Sequence, residues 1–390
     1  MTVIVSAKGA ERWRAGHPWI YRTDLYDEPL KEPGIVSVTD RRGRFLGQAL
    51  YSPKSEIRLR LLTRGREPID ADWWGARITA AAGRRDGVPA TAYRVVHAEG
   101  DSLPSLVIDR YGPYVVAQLL SAGLERVRED VLAGIRAALA PAGILLRNDA
   151  QIRRHEGLPI EVTLAEGAVP ETVEVAEHGV RYLAAPWSGQ KTGAFLDQRE
   201  NRVLVASHAR AGGGGRGGRA LDVFTYHGSF ALHLARRSAE VVAVDSNAEA
   251  LARAAQNAAL NGFANIACRE ANAFDLLREL EHREEAFDTI VLDPPAFAKT
   301  KVSLPRALAG YKEINLRAMR LLAPGGVLFT CSCSYHVHRS AFAAMLAGAA
   351  ADSGRQLQLL ALTGAGRDHP ELVNVPETGY LKGALLKAVD

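Results

Sequence analysis

The chain has 390 residues, of which 47% are hydrophobic and 24% charged, a composition typical of a soluble globular protein. At roughly 100–200 residues per domain, this length predicts two or three domains. No apolar stretch reaches the roughly 18 residues needed to cross a bilayer, and the amino terminus shows no signal-peptide pattern. Three unevenly spaced cysteines exclude a disulfide framework, so we expect a cytoplasmic protein that does not associate with membranes.

The net charge of +4 comes from the amino-terminal part of the chain. Residues 1–70 contain 13 Lys and Arg against 9 Asp and Glu, whereas residues 71–390 are balanced. Such an asymmetry is a weak indication of a module that binds a polyanion. A solvated basic surface would explain the same numbers.

The predicted elements of the first half of the chain form two small domains. Residues 1–70 contain short strands with turn signals between them, which predicts an all-β, barrel-like unit; the strands are "PGIVSVTD", "RFLGQALY" and "EIRLRLLT". Residues 71–184 begin with the helical stretch "ADWWGARITAAAGRR" and continue in the order β-β-α-β, which predicts a small α+β connector domain. The hairpin "PETVEVAEHGVRYLAAP" leads out of it.

The third domain, residues 185–390, alternates helices with apolar strands, the α/β pattern of a parallel sheet covered on both faces. Its strands are "ALDVF", "VVAVD", "DTIVLD" and "GVLFTCS", and "DQRENRVLVASHAR" is a helix. Ser246 and Glu249 are expected to form a capping box for a helix that ends at Gly262. The glycine cluster "AGGGGRGGR" is either a flexible connection or an arginine–glycine contact to RNA.

Ligands of such sheets bind beyond the carboxyl ends of the strands. The first strand ends at Asp222, and the turn after it has the single glycine Gly228, which disfavours a nicotinamide dinucleotide bound by G-x-G-x-x-G. Asp245 lies 23 residues after Asp222, at a position where a carboxylate can accept hydrogen bonds from ribose hydroxyls. Asn272 and Ala273, after the third strand, can pair with an adenine edge. An ordinary turn glycine, a helix-start carboxylate and a loop asparagine are the alternative readings.

Two further strand ends carry candidate chemistry. Asp293 is followed by two prolines, which hold it rigidly toward the cleft. Cys331 and Cys333 have neither the spacing of a redox pair nor enough partners for zinc, so no metal is expected. Cys331 is interpreted as core, whereas Cys333, nearer the carboxyl end and facing Asp293, is a candidate nucleophile.

These residues resemble those of class I S-adenosylmethionine-dependent methyltransferases, and more closely the bacterial large-subunit ribosomal RNA cytosine-C5 methyltransferase family. The resemblance covers nearly the whole chain and rests on the stretches "GQKTGAFLDQRENR", "LDVFTYHGSFALHLA", "VVAVDSNAEAL", "LDPPAFAK", "YKEINLRAM" and "CSCS". It implies a Rossmann-like methyltransferase sheet, and a PUA RNA-binding domain matched by "HPWIYRTDL" and "PGIVSVTDRRGRFLGQALY". The implied cofactor is S-adenosylmethionine and the implied partner is large-subunit ribosomal RNA; a homodimer is one option for an oligomeric state that stays open.

The resemblance also assigns residues. Those implied at the methionine end of the cofactor are Asp222, Phe224, Tyr226 and Gly228, with Gln190, Phe195, Gln198 and Arg199 closing over it. Those implied at the ribose and adenine are Asp245, Ser246, Asn272 and Ala273. Asp293, also close to the cofactor, would hold the target base, and Cys333 would add to carbon 6 of cytosine.

One position departs from the pattern of many RNA cytosine-C5 methyltransferases, which carry a second cysteine directly after the two prolines. Here that position is Ala296, so the sequence does not identify the base that removes the carbon-5 proton. An RNA guanine or adenine N-methyltransferase that uses Asp293 and Phe297 is the alternative, although Phe297 lies one residue late for stacking on a base. A non-catalytic RNA-binding scaffold is the third reading.

Overall fold

A computed structural model describes residues 1–26, 30–209, 218–298, 300 and 302–390. The glycine cluster lies outside the described residues up to Gly217. The chain divides into two compact units, each built from three segments. The first contains residues 1–175, 184–197 and 367–378, and the second contains residues 176–183, 198–366 and 379–390. The predicted boundaries of three domains stay a prediction.

The amino-terminal part of the first unit is a five-stranded sheet with one helix. Its elements are β1 (Thr2–Val5), α1 (Ala7–Arg14), β2 (Trp19–Tyr21), β3 (Gly34–Asp40), β4 (Phe45–Tyr51) and β5 (Ile57–Thr63). The sheet order is β1-β3-β4-β5-β2, and only the β1–β3 pair is parallel. The three predicted strands are confirmed. The all-β interpretation omitted α1, which begins after the capping residue Ser6 and buries Trp13 in the core.

A second five-stranded sheet follows in the same unit, as the α+β pattern predicts. Its elements are α2 (Ala71–Gly83), β6 (Ala92–His97), β7 (Leu106–Tyr111), β8 (Tyr114–Leu119), α3 (Ala122–Glu125), α4 (Arg128–Leu139), β9 (Gly143–Asn148), α5 (Ile152–His155) and β10 (Glu161–Gly167). The sheet order is β10-β9-β8-β7-β6. Helices α2 and α4 share its core, in which Trp74 and Ile135 pack with Ile108. The hairpin β11 (Val173–Glu177) and β12 (Val180–Ala184) comes next.

The second unit is built on a seven-stranded sheet with helices on both faces. Its elements are α6 (Arg199–His208), β13 (Gly218–Val223), α7 (Ser229–Ala235), β14 (Ser238–Asp245), α8 (Ala248–Leu260), β15 (Ile266–Glu270), α9 (Ala273–His282), β16 (Phe287–Leu292), α10 (Leu304–Arg320), β17 (Leu322–Ser332), α11 (Arg339–Ser353), β18 (Leu357–Thr363) and β19 (Lys382–Ala388). The predicted α/β alternation is therefore confirmed.

The strand order, β15-β14-β13-β16-β17-β19-β18, reverses direction beside β13. Strands β13 to β17 are parallel, and β19 runs antiparallel to both of its neighbours. Alternate strand residues fill two cores on opposite faces; Leu221 and Leu292 belong to one, and Ala220 and Phe329 to the other. The carboxyl ends of β13, β14, β16 and β17 therefore meet at one edge, next to the switch point between β13 and β16.

Candidate active site

Asp222 is completely buried, although it lies at the end of β13. Its Oδ2 accepts hydrogen bonds from Thr225 Oγ1 at 2.6 Å and from the Ala231 backbone N–H at 2.9 Å. Its Oδ1 has no hydrogen-bond partner among the described residues. Burial raises the pKa of Asp222 to about 7, and nearby Asp293 and Asp245 contribute to the rise. The site thus contains a buried acceptor that a bound ligand can satisfy.

The loop after Asp222 has an unusual backbone. Phe224, Tyr226 and Gly228 have φ values of 67°, 52° and 85°, in the left-handed region. Such a conformation is strained for the two aromatic residues, and strain of this kind clusters at functional sites. A Cβ on Gly228 would lie 3.1 Å from the Cβ of Ala254, so the absence of a side chain lets α8 approach the loop. Gly228 thus has the conformation of an ordinary turn glycine, which was the alternative reading, and its place at the cofactor stays a prediction.

Asp245 joins this loop to the next strand end. One carboxylate oxygen accepts from the Tyr226 N–H at 2.9 Å and the other from the Asn247 N–H at 3.0 Å. Because a carboxylate has about four acceptor positions, the half-buried Asp245 can still accept from ribose hydroxyls.

The expected capping box at Ser246 is wrong: Asn247 caps α8, and its side chain accepts from the Ala250 N–H. Two adjacent residues can each cap a helix, and the register that the fold selects begins one residue later. Ser246 itself is exposed beside Asp245, and its place near the ribose stays a prediction. The helix ends as predicted, with Gly262 in the left-handed conformation just after it.

Asn272 is the capping residue of α9. Its Oδ1 accepts from the backbone N–H groups of Phe274 at 2.9 Å and Asp275 at 3.4 Å. The side-chain amide is exposed and keeps its NH₂ group as a donor, and Ala273 begins the helix, where backbone N–H groups lack intrahelical partners. Capping therefore leaves the NH₂ group of Asn272 available for the predicted pairing with adenine.

The two cysteines of β17 have different environments. Cys331 is completely buried; its Sγ donates to Asp293 Oδ1 at 2.9 Å and accepts from Gln198 Nε2 at 3.2 Å. Burial, together with Asp293, raises the pKa of the Cys331 thiol well above its usual range. Cys331 thus stays protonated and is a poor nucleophile. The sequence predicted its burial but not its hydrogen bond to Asp293.

Cys333 follows the last residue of β17 and is partly exposed. Its Sγ lies 3.9 Å from the carbonyl oxygen of Pro294, directly after Asp293. The third cysteine, Cys268, lies on the edge strand β15. Cys333 therefore combines partial exposure with a position at the ligand-binding edge of the sheet.

A network that the sequence did not reveal supports these segments. The Tyr311 hydroxyl lies 2.8 Å from Ser334 Oγ, which also accepts from the Ala298 N–H at 3.1 Å. Tyr311 additionally packs against Phe297, with 4.5 Å between ring centroids. The stretch "YKEINLRAM" contains this tyrosine, but the sequence assigned it no role.

The four residues expected over the amino acid end of the cofactor fall in different units. Gln190 and Phe195 belong to the first unit, where Lys191 Nζ lies 4.6 Å from the Phe195 ring centroid. Gln198 and Arg199 belong to the second and are buried, and Arg199 pairs with Glu200 at 3.0 Å. Their joint closure over the cofactor stays a prediction.

No helix in the described ranges has both the length and the apolar character that crossing a bilayer requires. No group of three or more His, Cys, Asp or Glu residues in the same ranges has a metal-binding arrangement.

Comparisons with known proteins agree with both parts of the chain. A PUA-like domain family matches residues 3–64, and a methyltransferase domain family matches residues 215–364. Ribosomal RNA large subunit methyltransferase I of Aeromonas salmonicida is 39% identical over 95% of each chain. The protein of the same name from Erwinia tasmaniensis is 36% identical over the full length of both.

Solved structures show the same fold. A Streptococcus mutans protein described as a SAM-dependent methyltransferase superposes with a TM-score of 0.83 at 20% identity, covering 99% of this chain and 100% of that one. SMU.776, described as a methyltransferase complexed with SAH, gives a TM-score of 0.84 at 20% identity and the same coverage.

Proposed function

The chain belongs to the ribosomal RNA large subunit methyltransferase I family, and we propose that it forms 5-methylcytosine in 23S ribosomal RNA through a covalent adduct with Cys333. At the coarser level it is an S-adenosylmethionine-dependent methyltransferase of large-subunit ribosomal RNA. The observation that carries the finer proposal is the contrast between two thiols at one strand end. Cys331 is buried and hydrogen-bonded to Asp293, whereas Cys333 is partly exposed beside Pro294.

The residues at the strand ends fit S-adenosylmethionine. The buried Asp222 Oδ1 lacks a partner among the described residues, and an ammonium or hydroxyl donor can satisfy it. Asp245 would hold the ribose, and the NH₂ group of Asn272 with the backbone at Ala273 would hold the adenine. When bound, this cofactor supplies an electrophilic methyl group on a positively charged sulfur.

Cys333 supplies what cytosine lacks, because carbon 5 of cytosine is a weak nucleophile. The Cys333 thiolate forms a bond to carbon 6, and the displaced electron pair makes carbon 5 nucleophilic enough to accept a methyl group. A base then removes the proton from carbon 5. The electrons of that C–H bond restore the ring double bond and expel the thiolate.

Asp293 is proposed to bind the N3/N4 edge of the cytosine. Its Oδ1 accepts the Cys331 thiol at 2.9 Å, which fixes the orientation of the carboxylate. A carboxylate has further acceptor positions for the base, and a hydrogen bond there stabilises the adduct. Reaching this group requires the cytosine to be unstacked, which suits looped or single-stranded RNA.

Phe297 bears on the alternative, methylation of an amino group of guanine or adenine. Its ring packs against Tyr311, at 4.5 Å between centroids, and against Phe274, at 6.0 Å. Phe297 is the aromatic residue that an amino-group methyltransferase would need for stacking on the base, and here its ring already packs against two other rings. They therefore favour the cytosine-C5 proposal. A homodimer stays a prediction from the sequence.

The test uses labelled S-adenosylmethionine and 23S ribosomal RNA from cells that lack the enzyme. We expect the wild type and Cys268→Ala, an exposed cysteine on another strand, to label 5-methylcytosine after digestion to nucleosides. Cys333→Ala should bind the cofactor but give no product. RNA containing 5-fluorocytosine, which has no removable carbon-5 proton, should trap a covalent complex with the wild type and Cys268→Ala but not with Cys333→Ala. Methylation that survives in Cys333→Ala, or label on a purine, would overturn the proposal.

A further inference from the structure

Lys382 is a buried lysine at the carboxyl-end side of the second unit's sheet, where Cys333 also lies. It begins β19, is opposite Ser332 in the register with β17, and is only 4% exposed. Lysine side chains almost always keep the ammonium group in water, because burying an unpaired charge is costly. A buried lysine next to a candidate nucleophile therefore requires an explanation.

The contacts of Lys382 account for only part of its hydrogen-bonding capacity. Its Nζ donates to the carbonyl oxygens of Ser334 and Tyr380, each at 2.7 Å. An ammonium has three N–H donors, so one donor and the positive charge have no counterpart among these two neutral acceptors. Ser334 is the residue directly after Cys333, so the first of these bonds also fixes the backbone beside that cysteine.

Several elements contribute ionisable groups around Cys333. The groups that interact electrostatically with its thiol include Tyr311 from α10, Cys331 from β17 and Lys382 from β19. Arg339, at the start of α11, acts on Lys382, and Asp293 acts on Cys331. Lys382 thus supplies a positive charge that acts on the thiol of Cys333.

The ionisation of Lys382 agrees with this arrangement. Burial lowers its pKa to about 8; the two cysteines oppose that change and Arg339 adds to it. The ammonium form therefore predominates at neutral pH, despite burial. A thiolate at Cys333 would be stabilised by its charge.

We propose that Lys382 is a positioning residue that holds the backbone at Ser334 and stabilises the thiolate of Cys333 with its ammonium group. In the step that it assists, the S–H bond of Cys333 breaks, water takes the proton, and the thiolate faces the ammonium. Neighbouring cations lower the pKa of cysteine in this way in other proteins. The inference rests on the proposed function, since it assigns Cys333 as the nucleophile.

The experiment measures the rate of alkylation of Cys333 by iodoacetamide as a function of pH, with mass spectrometry to identify the modified peptide. The full chain carries Cys268→Ser so that the exposed cysteine does not contribute. We expect a midpoint below the ordinary thiol value of about 8.5. Lys382→Met should raise the midpoint by about one pH unit and slow alkylation at pH 7 roughly tenfold. Lys382→Arg, which keeps the charge, should remain close to the parent.

Lys382→Gln is the second neutral variant, in case Lys382→Met does not fold. It can donate two N–H groups to the same carbonyls without a charge, so it should also raise the midpoint. If the alkylation midpoint of the protein that retains Lys382 is at or above about pH 8.5, the inference is overturned before any Lys382 variant is measured. Equal midpoints for Lys382 and a folded neutral variant overturn it too. Alkylation requires no RNA, so these results are distinct from methylation surviving in Cys333→Ala, which overturns the proposed function.

Discussion

Replacing Asp222 with Asn should stabilise the cofactor-free protein at alkaline pH while weakening cofactor binding. Burial raises the pKa of this carboxyl from 3.8 to about 7. The folded state thus binds a proton that the unfolded state has released between these values. The wild type therefore loses stability as pH rises from about 4 to about 7, and the loss is complete above the folded pKa.

The size of the effect follows from that rise in pKa. At about 1.4 kcal/mol per pH unit, it corresponds to about 4 kcal/mol at pH 8. The asparagine NH₂ group replaces an acceptor and leaves a buried donor, which costs about 1–3 kcal/mol. We therefore expect Asp222→Asn to gain about 1–3 kcal/mol at pH 8 and to lose about 1–3 kcal/mol at pH 4, where the wild type is protonated and only the cost of the buried donor remains. The hydrogen bonds from Thr225 and Ala231 can persist to the amide oxygen.

The assay is the thermal unfolding midpoint of the cofactor-free protein from pH 4 to pH 9, with calorimetry of S-adenosylhomocysteine binding. The matched control is Asp275→Asn, an exposed carboxylate on α9 of the same unit. The midpoint of Asp222→Asn should exceed that of the wild type by several degrees at pH 8 and fall below it at pH 4, so the two pH profiles should cross. Parallel pH profiles, or unchanged cofactor affinity, would refute this account of Asp222.

Three further predictions concern the second unit. Asn272→Ala should lower stability by about 1 kcal/mol through loss of the α9 cap and should weaken cofactor binding, both read by thermal unfolding and calorimetry. Gly228→Ala should cost more than 1 kcal/mol in denaturant unfolding, because φ is +85° and the new Cβ would lie 3.1 Å from Ala254. Glu177→Gln should cost about 3–5 kcal/mol in the same assay, because it leaves the buried Arg202 without its carboxylate. Each prediction has a control. Asn272→Asp keeps a capping oxygen but loses the NH₂ donor, so it should remain stable and bind the cofactor weakly. Equal cofactor affinity of Asn272→Asp and the wild type would count against the adenine assignment. Gly262→Ala has a similar φ of +68° in open space and isolates the backbone term, so an equal cost at both glycines would dismiss the contact with Ala254. For Glu177, a loss below 1 kcal/mol would show that Arg202 finds another partner.

The sheet of the second unit was predictable because its strands are continuous apolar runs with punctuated helices between them. Asp222, Asp245 and Asn272 were found through their place at strand ends, and the structure gives each of them hydrogen bonds there. These positions could be predicted because the residues next to them in the sequence mark the ends of the strands. The sequence could not predict whether Ser246 or Asn247 caps α8, because both residue types can cap a helix and the two possible starts differ by one residue.

Long-range contacts were beyond the sequence. Nothing in "YLKGALLKAV" distinguishes Lys382 from an exposed strand lysine, because its burial depends on β17, about 50 residues earlier. The hydrogen bond between Gln198 and Cys331 joins residues 133 positions apart. The return of residues 367–378 to the first unit was also unforeseen, and there the Asp368 carboxylate accepts from the Arg94 N–H.

The interleaved course of the chain has a consequence for biosynthesis. The first unit lacks its last segment, residues 367–378, until nearly the whole protein has left the ribosome. Arg85 and Arg94 thus lack their hydrogen bonds to Asp368 while almost all of the second unit is being synthesised. Both units are completed only near the end of translation, the first at residue 378 and the second at residue 390. A nascent chain stalled before residue 367 should therefore depend on chaperones, and a fragment cut at residue 184 would leave the first unit incomplete.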